Sequence, residues 1–202
     1  MRWLLGLVII LSAYSGTPSA GKPTVVFVGD SITVLATPAI QSLLGPDYHV
    51  EFAAEDGIRI NQSFPALYSA LRSHPSAVVE NLGTNDALQV GAGYDWGPSW
   101  HKLIFMMRNT PCVVLTTINP VTDAYNHRRV ATRINADIMA LAARNPTKYK
   151  VADWSGFLKH HATSQTIYLR PDPILIHPSP AGALKIAALD QDALAKCGKR
   201  TS

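Results

Sequence analysis

Short apolar runs alternate with longer amphipathic segments from residue 24 almost to the end of the chain, and this alternation limits the possible folds more than any other feature. Runs rich in valine, isoleucine and aromatic residues predict β-strands. The segments between them carry apolar residues at helical spacing, as Val130, Ile134, Ile138 and Leu141 do. Strands and helices in alternation indicate an α/β fold around a parallel sheet that is covered on both faces.

The predicted elements follow from these patterns. Strands are expected at 24–28, 48–53, 77–81, 112–118 and 149–153. The clearest helices are expected at 62–73, 100–108, 125–144 and 180–196, with Ser179 as the N-cap of the last one. The glycine-rich stretch 87–99 is predicted to be a loop.

Residues 1–20 have the pattern of a secretory signal peptide, and residues 21–202 are expected to form a single domain. Arg2 precedes an apolar run at 3–11, and small residues then offer cleavage sites after Ser15 or Ala20. That run is shorter than the roughly 20 apolar residues that a membrane-spanning helix needs, so a retained membrane anchor is the weaker alternative. We therefore expect a protein that is secreted or held in the cell envelope, without stable insertion in a membrane after cleavage.

The chain has two cysteines, Cys112 and Cys197, and export would place them where disulfides form. Cys112 begins a predicted strand, and Cys197 ends a helix that should run antiparallel to the strands, so both should lie at the same end of the sheet. We predict that they pair. The alternative is two free buried thiols.

The charge pattern gives little support to nucleic-acid binding. Eighteen basic and 14 acidic residues leave a formal net charge of +4, and the basic residues are dispersed. The histidines outside the motifs discussed below share no spacing typical of metal ligands, so no metal site is predicted. A monomer is expected.

Three short motifs, in this order along the chain, point to a serine nucleophile. They are Gly-Asp-Ser-Ile at 29–32, Gly-Thr-Asn-Asp at 83–86 and His-Pro-Ser at 177–179. Ser31 follows a predicted strand, where a hydroxyl faces solvent and substrate. His177 is the candidate base, and Asp172 is a candidate to fix its tautomer.

Candidates for the remaining parts of an acyl-transfer site follow neighbouring strands. The backbone N–H groups of Ser31 and Gly57 and the side-chain amide of Asn85 are candidates for an oxyanion hole. Tyr94 and Trp96, in the predicted loop, are candidates for substrate binding, although aromatic residues in loops pack against their own domain as often. Ligands bind beyond the carboxyl ends of parallel strands, so one crevice is expected to contain these groups.

With these motifs, almost the whole chain after the signal peptide resembles the SGNH hydrolase superfamily, also called the GDSL esterases and lipases. Residues 29–32 match the family's Gly-Asp-Ser-Leu motif with isoleucine in place of leucine, Gly57 matches its oxyanion glycine, and residues 83–86 match Gly-x-Asn-Asp. The resemblance implies a flavodoxin-like three-layer α/β/α sandwich with a five-stranded parallel sheet. It also implies catalysis through an acyl-serine intermediate without a metal or organic cofactor.

The last block of the chain departs from the family pattern. The family usually has an aspartate three residues before the histidine, where this chain has Ile174. Either Asp172 takes that role through a two-residue insertion, or a backbone carbonyl orients His177 and leaves a Ser–His dyad. A weakened or inactive enzyme is the third alternative.

The resulting functional hypothesis is a secreted serine esterase that hydrolyses short-chain carboxylic esters, with O-acetyl groups on glycans as the favoured example. One alternative is an O-acyltransferase of the same fold, since water access in the site decides between the two. The other is a non-catalytic glycan-binding module. Dependence of activity on Ser31 separates the enzymes from the binding module.

Overall fold

A computed structural model describes residues 21–89, 95–120 and 127–198 of the chain. In these ranges the strands are β1 (Thr24–Gly29), β2 (His49–Ala54), β3 (Ala77–Asn81), β4 (Cys112–Thr116) and β5 (Tyr149–Ala152). They form one five-stranded sheet in the order β2-β1-β3-β4-β5, and every neighbouring pair is parallel. The carboxyl ends of all these strands therefore lie along one edge of the sheet.

Helices surround this sheet on both faces. Within the same ranges the helices are α1 (Ser31–Leu44), α2 (Phe64–Leu71), α3 (Thr84–Leu88), α4 (Trp96–Met106), α5 (His127–Arg144), α6 (Trp154–His160), α7 (Gln165–Tyr168) and α8 (Pro180–Leu194). Short 3₁₀ turns occur at Ile60–Ser63, Met107–Asn109 and Ala162–Ser164.

The strands bury apolar side chains on both faces, as the sequence predicts. Val26 and Val28 belong to one buried cluster with residues of α2, α4 and α5. Val25 and Phe27 belong to a second cluster with residues of α1, α6 and α8. Successive side chains of a strand point to opposite faces, so one continuous apolar run serves both clusters. The predicted three-layer α/β/α sandwich with a five-stranded parallel sheet is confirmed.

Helix α4 begins four residues earlier than predicted, inside the stretch 87–99 that the sequence analysis assigns to a loop. The side chain of Asp95 caps it by accepting a hydrogen bond from the Gly97 N–H at 3.0 Å. Pro98 falls in the first turn, where a helix needs no backbone donor. The same stretch also contains the end of α3. The glycines and Pro98 thus predicted a loop, although both residue types are compatible with the first turn of a helix.

The remaining helix boundaries differ from the predictions only at their ends. Helix α2 covers the middle of the predicted range 62–73, and a 3₁₀ turn precedes it. The predicted start of the long helix at residue 125 lies outside the described residues. Ser179 caps α8 through a hydrogen bond from the Gly182 N–H to its hydroxyl at 3.1 Å.

The predicted pair Cys112 and Cys197 is joined by a disulfide across a sequence separation of 85 residues. Cys112 is the first residue of β4, and Cys197 follows the end of α8, so the bond ties the last helix to the amino edge of the sheet.

No helix in the described ranges has the length and apolar character needed to cross a membrane.

Candidate active site

Ser31 lies where β1 ends and α1 begins. Asp30 caps the helix, because its carboxyl oxygen Oδ1 accepts a hydrogen bond from the Ile32 N–H at 3.0 Å. Gly29 is required for this tight connection, since a Cβ there would lie 1.9 Å from Oγ1 of Thr33. The connection places the Ser31 hydroxyl at the carboxyl edge of the sheet.

The structure brings Ser31, His177 and Asp172 into one chain of hydrogen bonds. Oγ of Ser31 lies 3.2 Å from Nε2 of His177, although 146 residues separate them in sequence. Nδ1 of the same ring lies 2.9 Å from Oδ2 of Asp172. With Nδ1–H donating to the carboxylate, Nε2 is free to accept the serine proton.

A local turn carries Asp172 to His177 despite the unusual five-residue spacing. Oδ1 of Asp172 accepts from the Ile174 N–H at 3.1 Å, and the backbone carbonyl of Asp172 accepts from the Leu175 N–H at 3.2 Å. Leu175 has a left-handed backbone, with φ of +49°. The turn shortens the path between the two catalytic candidates, so the carboxylate reaches the imidazole.

Hydrogen bonds to backbone carbonyls close the base of this loop. Leu169 and Pro178 form an isolated antiparallel bridge. The Arg170 N–H donates to the carbonyl of His177 at 2.9 Å, and its Nε–H donates to the carbonyl of Pro178 at 3.1 Å. These contacts hold His177 on the side of α1 that presents Ser31.

The surroundings of Asp172 favour its ionised form, which suits a group that orients the His177 imidazole. Partial burial acts to raise the pKa of Asp172, but hydrogen bonds from His177 and Ile174 and the charge of His177 outweigh it and hold the pKa below its usual value. Asp172 is therefore ionised at neutral pH. An ionised carboxylate fixes the imidazole tautomer and stabilises the imidazolium that forms when the serine loses its proton.

The oxyanion-hole candidates lie at the ends of three adjacent strands. Ser31 follows the central one of these, β1, while Gly57 follows β2 and Asn85 follows β3. Gly57 has φ of +72°, a conformation that favours glycine. A Cβ atom added at Gly57 would have no heavy atom within 4 Å, so the space beside this backbone is open. Asn85 donates one amide hydrogen to Oδ2 of Asp30 at 3.2 Å, which leaves the second hydrogen for a ligand.

Asp30 is completely buried beneath this edge. Burial, the largest cause, raises the pKa of Asp30 to about 7; the charge of Asp86 adds to this, and hydrogen bonds from Ile32 and Asn85 oppose it. One carboxyl group thus caps the serine helix and orients the Asn85 amide.

Asp86 connects two of the loops that carry oxyanion-hole candidates. It is fully buried, and its Oδ2 accepts a hydrogen bond from the Ile60 N–H at 3.0 Å. Gly83, just before α3, has φ of +107°, and a Cβ there would lie 2.7 Å from Cδ1 of Ile118. Glycine at this position lets the loop that carries Asn85 pack against the core.

Glu80, a third buried carboxyl group, was not singled out in the sequence analysis. It is fully buried in β3, where Oε1 accepts from the Leu82 N–H at 2.8 Å and Oε2 has no hydrogen-bond partner. Burial raises the pKa of Glu80 well above its usual value, against the Leu82 hydrogen bond and with the charges of Asp30 and Asp86 adding to it. A charged residue directly after the three apolar residues that begin the strand was the sequence signal that Glu80 offered.

Neither of the two substrate-binding candidates is found at the Ser31 site within the described part of the chain. Tyr94 lies outside them. Trp96 starts α4 and is only 7 % exposed, within the apolar cluster beneath the sheet. Its indole is therefore placed in the core. Among the described residues, no group of three or more His, Cys, Asp or Glu side chains has the arrangement of a metal site.

Comparison with protein families gives a match across most of the chain. Residues 27–184 match the GDSL-like Lipase/Acylhydrolase family. The matched region contains Ser31, Gly57, Asn85, Asp172 and His177. No curated protein matches the chain.

Solved structures share the fold at low sequence identity. The C-terminal catalytic domain of peptidoglycan O-acetyltransferase A (OatA) from Streptococcus pneumoniae superposes with a TM-score of 0.68 at 19% identity, covering 87% of this chain and 94% of that one. A member of the lipolytic G-D-S-L family from Veillonella parvula gives 0.68 at 19% identity, covering 85% and 98%. A catalytic mutant of Axe2, an acetylxylan esterase from Geobacillus stearothermophilus, gives 0.67 at 14% identity, covering 85% and 94%.

Proposed function

The chain belongs to the GDSL-like lipase/acylhydrolase family, and from this premise we propose that it hydrolyses short-chain carboxylic esters through an acyl-enzyme intermediate on Ser31. As a serine hydrolase of this family it is an enzyme.

The observation that carries the proposal is the unbroken run of hydrogen bonds from Ser31 through His177 to Asp172. The two distances, 3.2 Å and 2.9 Å, are within the range expected for a nucleophile, its base and the group that orients the base. The alternative in which a backbone carbonyl orients His177 has less support, since Nδ1 already faces a carboxylate.

In the proposed reaction, Ser31 Oγ attacks the ester carbonyl carbon while Nε2 of His177 takes its proton. The carbonyl oxygen becomes an oxyanion, for which the N–H groups of Ser31 and Gly57 and the free amide hydrogen of Asn85 are the proposed donors. His177 then gives the proton to the leaving alcohol as the C–O bond breaks. Water, deprotonated by Nε2 of His177, then attacks the acyl carbon. The bond between that carbon and Ser31 Oγ breaks, the acid is released, and His177 returns the proton to Oγ.

The substrate proposal rests on the size and expected location of the protein. The described residues form a compact sandwich, and the connection between α3 and α4 is short, which leaves little material for a large lid over a long acyl chain. If residues 1–20 act as a signal peptide, the enzyme works outside the cytoplasm, where O-acetylated glycans are available esters. Neighbours of the same fold are named as an acetylxylan esterase and a peptidoglycan O-acetyltransferase, which supports acetyl esters as the class to test first.

Hydrolysis of p-nitrophenyl acetate, butyrate and octanoate by the purified chain tests this proposal, with Ser31→Ala as the matched variant. We expect acetate and butyrate to be cleaved faster than octanoate, and we expect Ser31→Ala to lower kcat/KM by roughly 10⁴-fold or more. Unchanged turnover in Ser31→Ala would refute the nucleophile assignment.

An acceptor added to the same assay separates hydrolysis from transfer. With an unacetylated chito-oligosaccharide present as acceptor, a hydrolase releases acetate at the rate of nitrophenol release. A transferase instead forms an acetylated oligosaccharide, which mass spectrometry detects. A folded wild-type protein without Ser31-dependent turnover in either assay would favour the glycan-binding module.

A further inference from the structure

A large groove lies at the amino edge of the sheet, opposite the Ser31 site. Its volume is about 1370 Å³, above the roughly 300–1,000 Å³ typical of pockets for small ligands. Its walls include the amino ends of β3 and β4 and the disulfide between Cys112 and Cys197. The strands span about 17 Å, so this groove and the Ser31 hydroxyl are separate sites. An open groove of this size suits an extended polymer.

The groove has one sign of charge. Arg72, Lys102 and Arg108 line it, and none of its described lining residues is acidic. All three side chains are exposed. The nearby carboxylate of Glu51 on β2 is outside the lining and lies 3.5 Å from Nε2 of His49. The groove is therefore complementary to an anionic ligand.

Aromatic faces lie beside these cations. The side chains of Tyr68 and Phe105 are 68 % and 61 % exposed, which is unusual for rings of this size. The guanidinium of Arg108 lies 4.0 Å from the centre of the Phe105 ring and extends that flat surface. Exposed rings offer apolar faces to the C–H faces of sugars, while the cations beside them pair with carboxylates.

We propose that this groove binds a carboxylated polysaccharide strand and holds the protein on it, independently of the chemistry at Ser31. The concave shape favours a strand over the flat surface of a membrane. The net charge of +4 and the small number of cations in the groove are low for a nucleic-acid site. A polyuronate has the alternating ring faces and carboxylates that match the aromatic and cationic side chains.

Affinity electrophoresis through gels containing polygalacturonate tests the proposal, with dextran as the neutral polymer. We expect retardation by polygalacturonate only, weakened by added salt. The combined variant Arg72→Ser, Lys102→Ser and Arg108→Ser should bind roughly tenfold more weakly, since each exposed pair contributes modestly. A control variant, Arg129→Ser, Arg133→Ser and Lys159→Ser, removes the same charge from exposed positions outside the groove and should bind as the wild type does.

A second pair of variants tests the sugar-stacking face at constant charge. Phe105→Tyr should preserve the affinity, whereas Phe105→Leu should weaken it several-fold.

Equal weakening in the two triple variants would overturn the proposal, because charge alone would then explain binding. Tighter binding to single-stranded RNA or to phosphatidylglycerol vesicles than to polygalacturonate would overturn it as well. Since binding is measured without turnover, failure of this proposal is distinct from failure of the ester hydrolase proposal.

Discussion

Ser31 and Asn85 rest on a completely buried set of carboxyl groups, whereas His177 is carried by a loop that solvent reaches. Asp30, Glu80 and Asp86 are 0 % exposed, while the side chains of His177 and Asp172 are 31 % and 21 % exposed. Burial raises the pKa of Asp30 and Glu80, and hydrogen bonds from the loop lower that of Asp172.

The two groups of catalytic candidates are thus held in position in different ways. The buried carboxyl groups place the oxyanion-hole candidates by packing within the core, so changes there are expected to affect stability and activity together. The loop places His177, the candidate base, by a few local hydrogen bonds, so changes there are expected to affect activity with little effect on stability.

The largest effect is expected from Asp172→Asn. The amide no longer provides a charged acceptor for Nδ1–H, so the imidazole loses its tautomer preference and kcat/KM falls by roughly 10²- to 10⁴-fold. The melting temperature should stay within about 2 °C of the wild type. Asp137→Asn removes the same charge from an exposed position of α5 and serves as the control for both measurements. Activity within a few-fold of the wild type would favour the dyad with a backbone acceptor.

The next largest effect is a change of stability with pH, which arises from the buried carboxyl groups of Asp30 and Glu80. The folded protein keeps protons on Asp30 and Glu80 above the pH at which an unfolded chain releases them, since the pKa of Asp30 is raised to about 7 and that of Glu80 well above 4.5. The stability that these two groups contribute is therefore fully present below the pH at which the unfolded chain releases their protons, and it decreases as pH rises toward their raised pKa values. Each such group contributes a slope of about 1.4 kcal/mol per pH unit.

Glu80→Gln isolates one of these contributions. The amide oxygen keeps an acceptor for the Leu82 N–H, and the side chain stays neutral at every pH. Denaturant unfolding at pH 5 and pH 7 should show a smaller loss of stability in Glu80→Gln than in the wild type. An equal loss in both proteins would mean that Glu80 is already ionised in the fold.

Asp86→Ala is expected to have a moderate effect on both properties. The Ile60 N–H loses its buried acceptor, which lowers the free energy of unfolding by about 1–3 kcal/mol. The loop that follows Gly57 loses its tie to α3, so kcat/KM should fall by roughly tenfold through looser positioning of the oxyanion donors. Asp192→Ala, at an exposed position of α8, is the matched control. Lost stability with full activity would show that the two loops are positioned independently.

The smallest effect is expected from Leu175→Gly in the loop. Glycine removes the side-chain strain of the left-handed backbone at φ of +49°, but it also adds freedom to the unfolded chain, so stability should change by less than about 1 kcal/mol. Leu184→Gly, at an exposed position within α8, should instead cost about 1 kcal/mol. Thermal unfolding of both variants checks this, and a larger loss for Leu175→Gly than for Leu184→Gly would contradict the local-turn explanation.

The secondary structure that could be predicted depends on local periodicity. All five strands appear near their predicted positions because each is a short apolar run between polar segments. The start of α4 at Trp96 was missed, because its Asp95 cap and the permissive position of Pro98 are hidden among glycines that indicate a loop. Short helices such as α6 and α7 were also missed, since four to seven residues show too little of the helical period.

The residues of the candidate site also differ in how far the sequence could predict them. Ser31 and Asn85 belong to motifs at strand ends, so the edge that they occupy followed from the parallel order of the strands. Asp172 remained open in the sequence analysis, because its distance from His177 depends on the left-handed turn at Leu175. Trp96 was proposed for substrate binding, yet its place in the core depends on how α4 packs against the sheet.

By itself, the amino-acid sequence determined the layered α/β architecture, the serine, amide and histidine motifs, and the cysteine pair that joins β4 to the end of α8. These features depend on residue type and on periodicity along the chain. Only the tertiary structure decided that Asp172 faces His177, that three carboxyl groups lie buried beneath Ser31 and Asn85, and that cations and aromatic rings converge in a groove at the opposite edge. Such features depend on turns, packing and desolvation, which bring together residues that no spacing in the sequence connects.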